Sequence, residues 1–435
     1  MVLAEVPEEV MMSEILTRLP VRSVLRFRCV CKQWCSSMAT PQFIREHLRK
    51  SKSSSSSNNR RIMIAGYDNS GFVFKSMSVY SKPPFSGCLV AYNNYPWSNR
   101  NPARIQGSCD ELFCLTTRRV PGIHIWNPST REHKTLPSFM KKGWCGFGFG
   151  YDHSIHAFKV FAMRSCGVEQ IQVHVYTLET TTTTTTTTSR SGSLLSDDSC
   201  SEDLYQIPSD SDSDDPGPFY YSEYEYLYES ESESESETES EFESVFWRRI
   251  QDFPYHPPPC SPGKLVNGAL HWPVYFGPPA SASSSSSSFL SPGDLRIASI
   301  DVTKETYGEI PMPYQLQEDR HSGYLYTGFE VLRGCICLIF NQLKIGCDVW
   351  AMTEYGVRDS WTKLVTIPHL PSTFIFQPLL SLDDSNGEII FLENNSQTGV
   401  YNSSENIFPA LDIVDDTSLG QVYSYFETLT SPNAA

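Results

Sequence analysis

No apolar run in this 435-residue chain approaches the ~20 residues a helix needs to cross a bilayer, so no helical membrane span is expected. The start, MVLAEVPEEV, lacks the basic and apolar regions of a secretory signal. The 13 cysteines are odd in number and include no CxxC pair, so they read as reduced, mostly buried small hydrophobes and not as a disulfide framework. Cys29, Cys31 and Cys35 cluster, but not at the paired spacing of a zinc site. No GxSxG nucleophile elbow occurs. His124, His133, His153, His156, His174 and His271 stand at neither metal nor catalytic spacings, so a structural histidine is the default reading for each. These absences point to a chain of the cytoplasm or nucleus, without membrane attachment, cofactor, metal or catalysis of its own.

Basic residues are missing from one whole region. Between Asp197 and Glu243 there are 18 acids and no Lys or Arg, and without those acids the net charge of −16 becomes +2. The acidity therefore belongs to one segment, and a near-neutral remainder has no basic stripe with which to hold nucleic acid. That segment runs from the Thr180 to Thr188 tract through SDSDDPGP to SESESESETESEFES. High like charge and few aliphatics predict disorder over residues 181–244, because such a stretch cannot bury enough surface to offset its chain entropy. It reads as a spacer, or as an electrostatic arm for basic partners whose acid-flanked serines suit phosphorylation. Two further serine tracts, Ser53 to Ser57 and Ser283 to Ser288, read as a linker (51–61) and a loop tip (281–288).

What is present begins with the first 50 residues, VPEEVMMSEILTRLPVRSVLRFRCVCKQWCSSMATPQFIREHL at their heart. Pro7 suits a first helical turn, Glu8 and Glu9 sit where the helix dipole favours negative charge, and Met11, Met12, Ile15, Leu16 and Leu19 recur at helical spacing. Pro20 stops that helix. Val21, Val24 and Leu25 form a second apolar series, Val30, Cys31, Trp34 and Met38 a third, and Pro41 precedes a helix carrying Phe43, Ile44 and Leu48. A three- to four-helix module of about 45 residues is too small to hold a core unaided, so its apolar surplus implies docking.

This segment resembles the F-box, in the plant form where LP, a VxxLxRFRCVCKxW core and a later PxF recur. The resemblance implies that Pro7, Ile15, Leu16, Leu19, Pro20, Val21, Leu25, Val30, Cys31 and Trp34 form the surface that packs on the Skp-type adaptor of a cullin-RING ubiquitin ligase. Val6 stands where Leu commonly precedes the Pro, and Met11 and Met12 replace the usual Leu pair.

Beyond the linker the sequence repeats. IHIWNPSTREHKTLPSF, ASIDVTKETYGEIPMP and CDVWAMTEYGVRDSWTKLVTIP share an apolar strand, a polar turn, a second strand and a closing Pro, the plan of a β-hairpin. VYNSSENIFPAL starts the same way. VHVYTLET begins the plan too, but its second strand comes only at VFWRRIQDFP, which places the acidic stretch at a hairpin tip, where lengthening costs little. With residues 181–244 and 281–288 excised, Trp126, Tyr176, Ile300, Trp350 and Tyr401 are spaced by 50, 52, 50 and 51 residues, and Tyr80 is the expected sixth member. GSCDELFCL, VNGALHW, LRGCICLIF and NGEIIFL each add a Gly-containing turn and an apolar strand ahead of a hairpin. A ~50-residue all-β repeat of this kind predicts a kelch-like β-propeller of about six blades. In it, Trp126, Trp247, Trp350 and Trp361 are expected to pack between blades.

GSCDELFCL, IWNPSTRE, GFGFGYD, LVNGALHW and the DVW to SW stretch also resemble the F-box-associated domain of plant F-box proteins, over about 62–411, followed by a tail at 412–435. GFGFGYD spells GxGxG with no helix after it, so it reads as an inner strand and not as a phosphate loop. The resemblance implies a non-catalytic substrate-recognition subunit of an SCF-type ligase: the F-box docks on the adaptor, and through it cullin, while loops at one face of the ring hold an unidentified target protein. An F-box scaffold working outside the ligase, or a ligand-binding propeller, are the competing readings.

Overall fold

The computed structural model describes residues 7–53, 60–68, 71–78, 90–91, 102–117, 122–137, 144–166, 170–178, 246–255, 261–275, 295–314, 324–342, 346–368, 376–381, 388–393, 397–402 and 418–433. Tyr80, the acidic segment 181–244 and the serine loop 281–288 lie outside them.

The N-terminal module is helical. Pro7 sits one residue ahead of the expected first turn, with extended ψ of 140°, and α1 (Glu8–Val10) runs on through a π turn, Met11–Ile15, and a 3-10 turn, Leu16–Arg18. Leu19 and Pro20 are extended, so Pro20 both ends this stretch and caps α2 (Val21–Phe27), its carbonyl accepting from the amide of Ser23. Cys31 caps α3 (Lys32–Ser37), its Sγ accepting from the Trp34 amide. Helix α4 (Pro41–Ser53) carries Pro at its first position, where no amide is missed, and continues into the stretch expected to be linker.

The rest of the described chain forms six sheets. The first blade holds β1 (Arg60–Asp68), β2 (Gly71–Ser78) and β3 (Val90–Ala91). The second holds β4 (Ala103–Cys109), β5 (Leu112–Thr117), β6 (Gly122–Trp126) and β7 (His133–Thr135). The third holds β8 (Trp144–Asp152), β9 (Ala157–Ser165), β10 (Ile171–Thr177) and β11 (Arg248–Arg249), with β12 (Ser261–Pro262) parallel to β8. The fourth is β13 (Lys264–Val266), β14 (Ala269–Tyr275), β15 (Leu295–Asp301) and β16 (Tyr307–Ile310). The fifth is β17 (Tyr324–Leu332), β18 (Cys335–Gln342), β19 (Gly346–Met352) and β20 (Trp361–Pro368). The sixth is β21 (Phe376–Ser381), β22 (Glu388–Glu393) and β23 (Gln397–Asn402). Five blades thus have four or more strands once β24 (Ser418–Phe426) joins the first, and one has three.

Strand β24 pairs antiparallel with β1, Arg60 facing Phe426, so the ring is closed by strands from opposite ends of the chain. This corrects the expected boundary at 411: residues 418–426 of the tail assigned to 412–435 form the innermost strand of the first blade. The first strands of successive blades lie side by side, and the Gln421 side chain completes the circle by bonding both the amide (2.8 Å) and the carbonyl (3.1 Å) of Ile105 on β4.

The repeat register holds in space. Trp126, Tyr176, Ile300, Trp350 and Tyr401 all fall on the third strand of their sheets. His174 and Val175 on β10 face Arg249 and Arg248 on β11, so the 70-residue connection that contains the acidic segment joins two paired strands. Asn267 and Gly268, and Arg333 and Gly334, have positive φ and make tight turns of the kind that matches strand twist. In GSCDELFCL the turn is instead Asp110–Glu111, with φ of 44° and 66°, and Gly107 lies within β4 at a register shift. The expectation of a glycine turn there is corrected: Asp tolerates the left-handed region, and the glycine instead faces Phe149 on the next blade.

The core lies between blades. Trp126 packs with Phe74 of the first blade (ring centroids 5.1 Å apart). Trp247 packs between the second and third blades and donates to the Pro137 carbonyl (3.1 Å). Trp350 and Trp361 fill the seam between the fourth and fifth, Trp361 donating to the Pro311 carbonyl (2.7 Å). GFGFGYD is β8, and its Asp152 organises the following turn by accepting from Ser154 and pairing with Lys159 at 2.7 Å.

Candidate docking site

The ten residues expected on one docking surface divide into two groups. Leu16 and Val21 are interior, 2% and 1% exposed, and pack with Val24, Met38, Phe43 and Leu429. They hold the module together and are not part of its surface, which corrects their assignment. Apolar periodicity marks both faces of a short helix alike, and only packing separates them.

Five of the others are exposed: Pro7, Ile15, Pro20, Val30 and Cys31. Leu19, Leu25 and Trp34 are half-buried, with the Trp34 ring edge-on to Phe27 at 6.1 Å. Val30 is 61% exposed, the highest value of any large apolar residue described. Val10 and Phe27, exposed and apolar, extend this surface and were not singled out from the sequence, although both stand within the helical periodicity. A buried polar contact supports the face from below: His47, 1% exposed, donates through Nε2 to the Leu19 carbonyl at 2.9 Å. Burial pushes the His47 pKa down, against the pull of that carbonyl. Gln33 donates to Glu8 (3.0 Å), joining α3 to α1, and Arg28 donates to the Met38 carbonyl (3.0 Å). The arrangement can bury apolar area against a partner; it holds no acid–base pair aimed at a common point.

In the ring, His124, His133, His153, His156, His174 and His271 lie on strands or hairpin turns. Burial pushes His124 and His271 down to about 4, and both are hydrogen-bonded, His271 lying between the Lys264 carbonyl (3.2 Å) and the Tyr355 hydroxyl (2.9 Å). His174 is also pushed to about 4, by burial and then by Arg249 and Arg164. The innermost strands place Lys264 on β13 against Glu330 on β17 (2.8 Å), with the ammonium 5.4 Å from the Tyr423 ring centre on β24. Among the described residues no group of three His, Cys, Asp or Glu could hold a metal ion. A cavity of about 260 Å³ lies between the turns of the fourth and fifth blades, lined by Asn267, Cys335, Thr353 and Tyr355 among others.

A small helical module with an exposed apolar face, followed by a ring of blades, defines the architecture. Residues 6–46 match the F-box domain, and residues 60–199 match the F-box associated beta propeller domain. An F-box/kelch-repeat protein of Arabidopsis thaliana, At3g23880, is 25% identical over 431 residues, covering 97% of this chain and 95% of that protein. The Arabidopsis thaliana F-box protein CPR1 is 23% identical over 412 residues, covering 90% of this chain and 81% of that one. A putative F-box protein of the same plant, At3g47150, is 34% identical over 162 residues, 34% of this chain and 43% of its own length. The chain thus carries an F-box family-model domain and an F-box-associated β-propeller family-model domain, and the relatives it is similar to are Arabidopsis F-box and F-box/kelch-repeat proteins.

Proposed function

We propose that this chain is the substrate-recognition subunit of an SCF-type (cullin-RING) ubiquitin ligase, acting in the cytoplasm or nucleus. The F-box docks on a Skp-type adaptor and through it on cullin, the propeller holds a target protein, and ubiquitin reaches the target by proximity to an enzyme recruited elsewhere in the complex. The chain contributes binding and no catalysis. The observation that carries this reading is the concentration of Val10, Ile15, Phe27 and Val30, exposed at 43%, 41%, 37% and 61%, on a module too small to need so much uncovered apolar surface for itself.

The test is co-purification of the full chain with the adaptor and cullin, beside an Ile15→Asp/Val30→Asp variant. A carboxylate buried unpaired at such a contact costs several kcal/mol, so adaptor affinity should fall by roughly 100-fold or more while the melting temperature stays within about 2 °C. Unchanged affinity in that variant, or no adaptor association of the intact chain, would overturn the proposal. Adaptor association with cullin excluded would favour the scaffold reading.

A further inference from the structure

The chain does not end with the strand that closes the ring. Beyond β24, residues Glu427–Asn433 leave the first blade and cross to the helical module. Leu429, 2% exposed, enters the cluster formed by Leu16, Val21, Val24, Met38 and Phe43. One side chain in six of that interior thus comes from the far end of the sequence. Residues on either side of it are bound to the second blade. The Asn127 side-chain amide, fully buried, donates to the carbonyls of Thr428 (3.0 Å) and Thr430 (2.6 Å), and the Thr428 amide donates to Ser129 Oγ (3.2 Å). Glu427 pairs with Arg61 on β1 at 3.3 Å. Glu111, in the β4–β5 turn, accepts from the Phe426 amide (2.7 Å) and pairs with Lys52 of α4 (3.0 Å).

The two kinds of contact do different work. The apolar one supplies core to a module that has too little, and the polar ones, made to backbone carbonyls by a side chain held in its own turn, fix where that core can sit. Asn127 is so held: its Oδ1 accepts from the amides of Ser129 (2.7 Å) and Thr130 (3.3 Å).

We propose that Glu427–Pro432 is a clamp: it is the last packing element of the F-box and locks that module to the second blade, so that the adaptor-docking face is presented at one fixed orientation to the ring. Its consequence for the ligase, a target held at a set distance from the ubiquitin donor, rests on the function proposed above; the clamp itself does not.

The experiment uses the full chain, its Leu429→Asp and Asn127→Ala variants, and Leu429→Met as the conservative control. Amide hydrogen exchange is read separately for α2 and α4 and for β18 and β19. Spin labels at Arg22 and Asp359, both exposed, report the module-to-ring distance distribution. Leu429→Asp should speed exchange of the α2 and α4 amides by roughly tenfold or more and leave the fifth blade unchanged. Both Leu429→Asp and Asn127→Ala should broaden a distance distribution that is narrow in the parent and in Leu429→Met. A distribution and exchange rates that do not move in either variant would overturn the clamp, as would a broad distribution in the parent. A narrow parent distribution in a chain that binds no adaptor would uphold the clamp and sink the ligase reading.

Discussion

Asn127 donates its side-chain amide to the carbonyl oxygen of Thr428, 3.0 Å away in space and 301 residues away in sequence. It stands in IWNPSTRE, a stretch legible in advance as a strand and turn of a hairpin, and the turn is there: the Arg131 amide donates to the Asn127 carbonyl at 2.8 Å. What the side chain reaches is supplied by the other end of the protein, and so a turn residue of the second blade also determines where the helical module lies.

The glycines of GFGFGYD predict a sharp stability response. A Cβ at Gly148 would stand 2.6 Å from Leu270 Cδ1 and 2.9 Å from Trp272 Cζ2, both fully buried on the fourth blade. Gly148→Ala should therefore cost about 1–3 kcal/mol through overpacking, seen as a lower urea midpoint at unchanged slope. Gly146→Ala, which meets the flexible Met163 Sδ at 3.3 Å, should cost less. An unaltered midpoint for Gly148→Ala would contradict the close approach of β8 to β14.

Asp152 and Lys159 predict an acid transition. Both side chains are nearly inaccessible, 2% and 5% exposed, and Lys159 also donates to the Val302 carbonyl (3.0 Å) and Glu305 (2.9 Å). Burial by itself would raise the Asp152 pKa; the bond from Lys159, with those from Ser154 and Thr303, outweighs it and holds the carboxyl well below the ordinary carboxylate range. A group with a depressed folded pKa stabilises the protein above its unfolded value, 3.8 here, and loses that contribution as the pH falls through the folded value. Asp152→Asn should lower stability at pH 7 by about 1–3 kcal/mol, since it leaves the buried ammonium with Glu305 as its one carboxylate partner. The gap between parent and variant in denaturant titrations should narrow as the pH drops below 4; a gap as wide at pH 2.5 as at pH 7 would count against the assignment.

Removing the acidic segment should do no harm to the ring. Deleting residues 181–244 shortens the β10–β11 connection from 70 residues to 6 and leaves the pairing residues in place. Loop-closure entropy alone favours the shorter chain by about 2 kcal/mol, so the unfolding midpoint should stay level or rise. A midpoint that falls would mean that the segment contributes packing and is more than a hairpin-tip insertion.

Much of the architecture was legible from local pattern. Helical spacing from Met11 to Leu48, strand alternation, and a period near 50 residues marked a small helical module ahead of a ring of about six blades, because each is written over a few consecutive residues and repeats. The docking surface was legible only in part. Ile15 and Leu16 are neighbours of equal hydrophobicity, yet one is 41% exposed and the other 2%, and no periodicity over so short a helix assigns them to opposite sides. Ring closure by β24, the burial of Leu429 among N-terminal residues, and the hold of Asn127 on Thr428 join positions hundreds of residues apart. By itself the sequence determined the elements and their order. Only the tertiary structure decided which apolar side chains face a partner and how the module is fastened to the ring, because contacts between distant segments leave no periodic trace in the residues that make them.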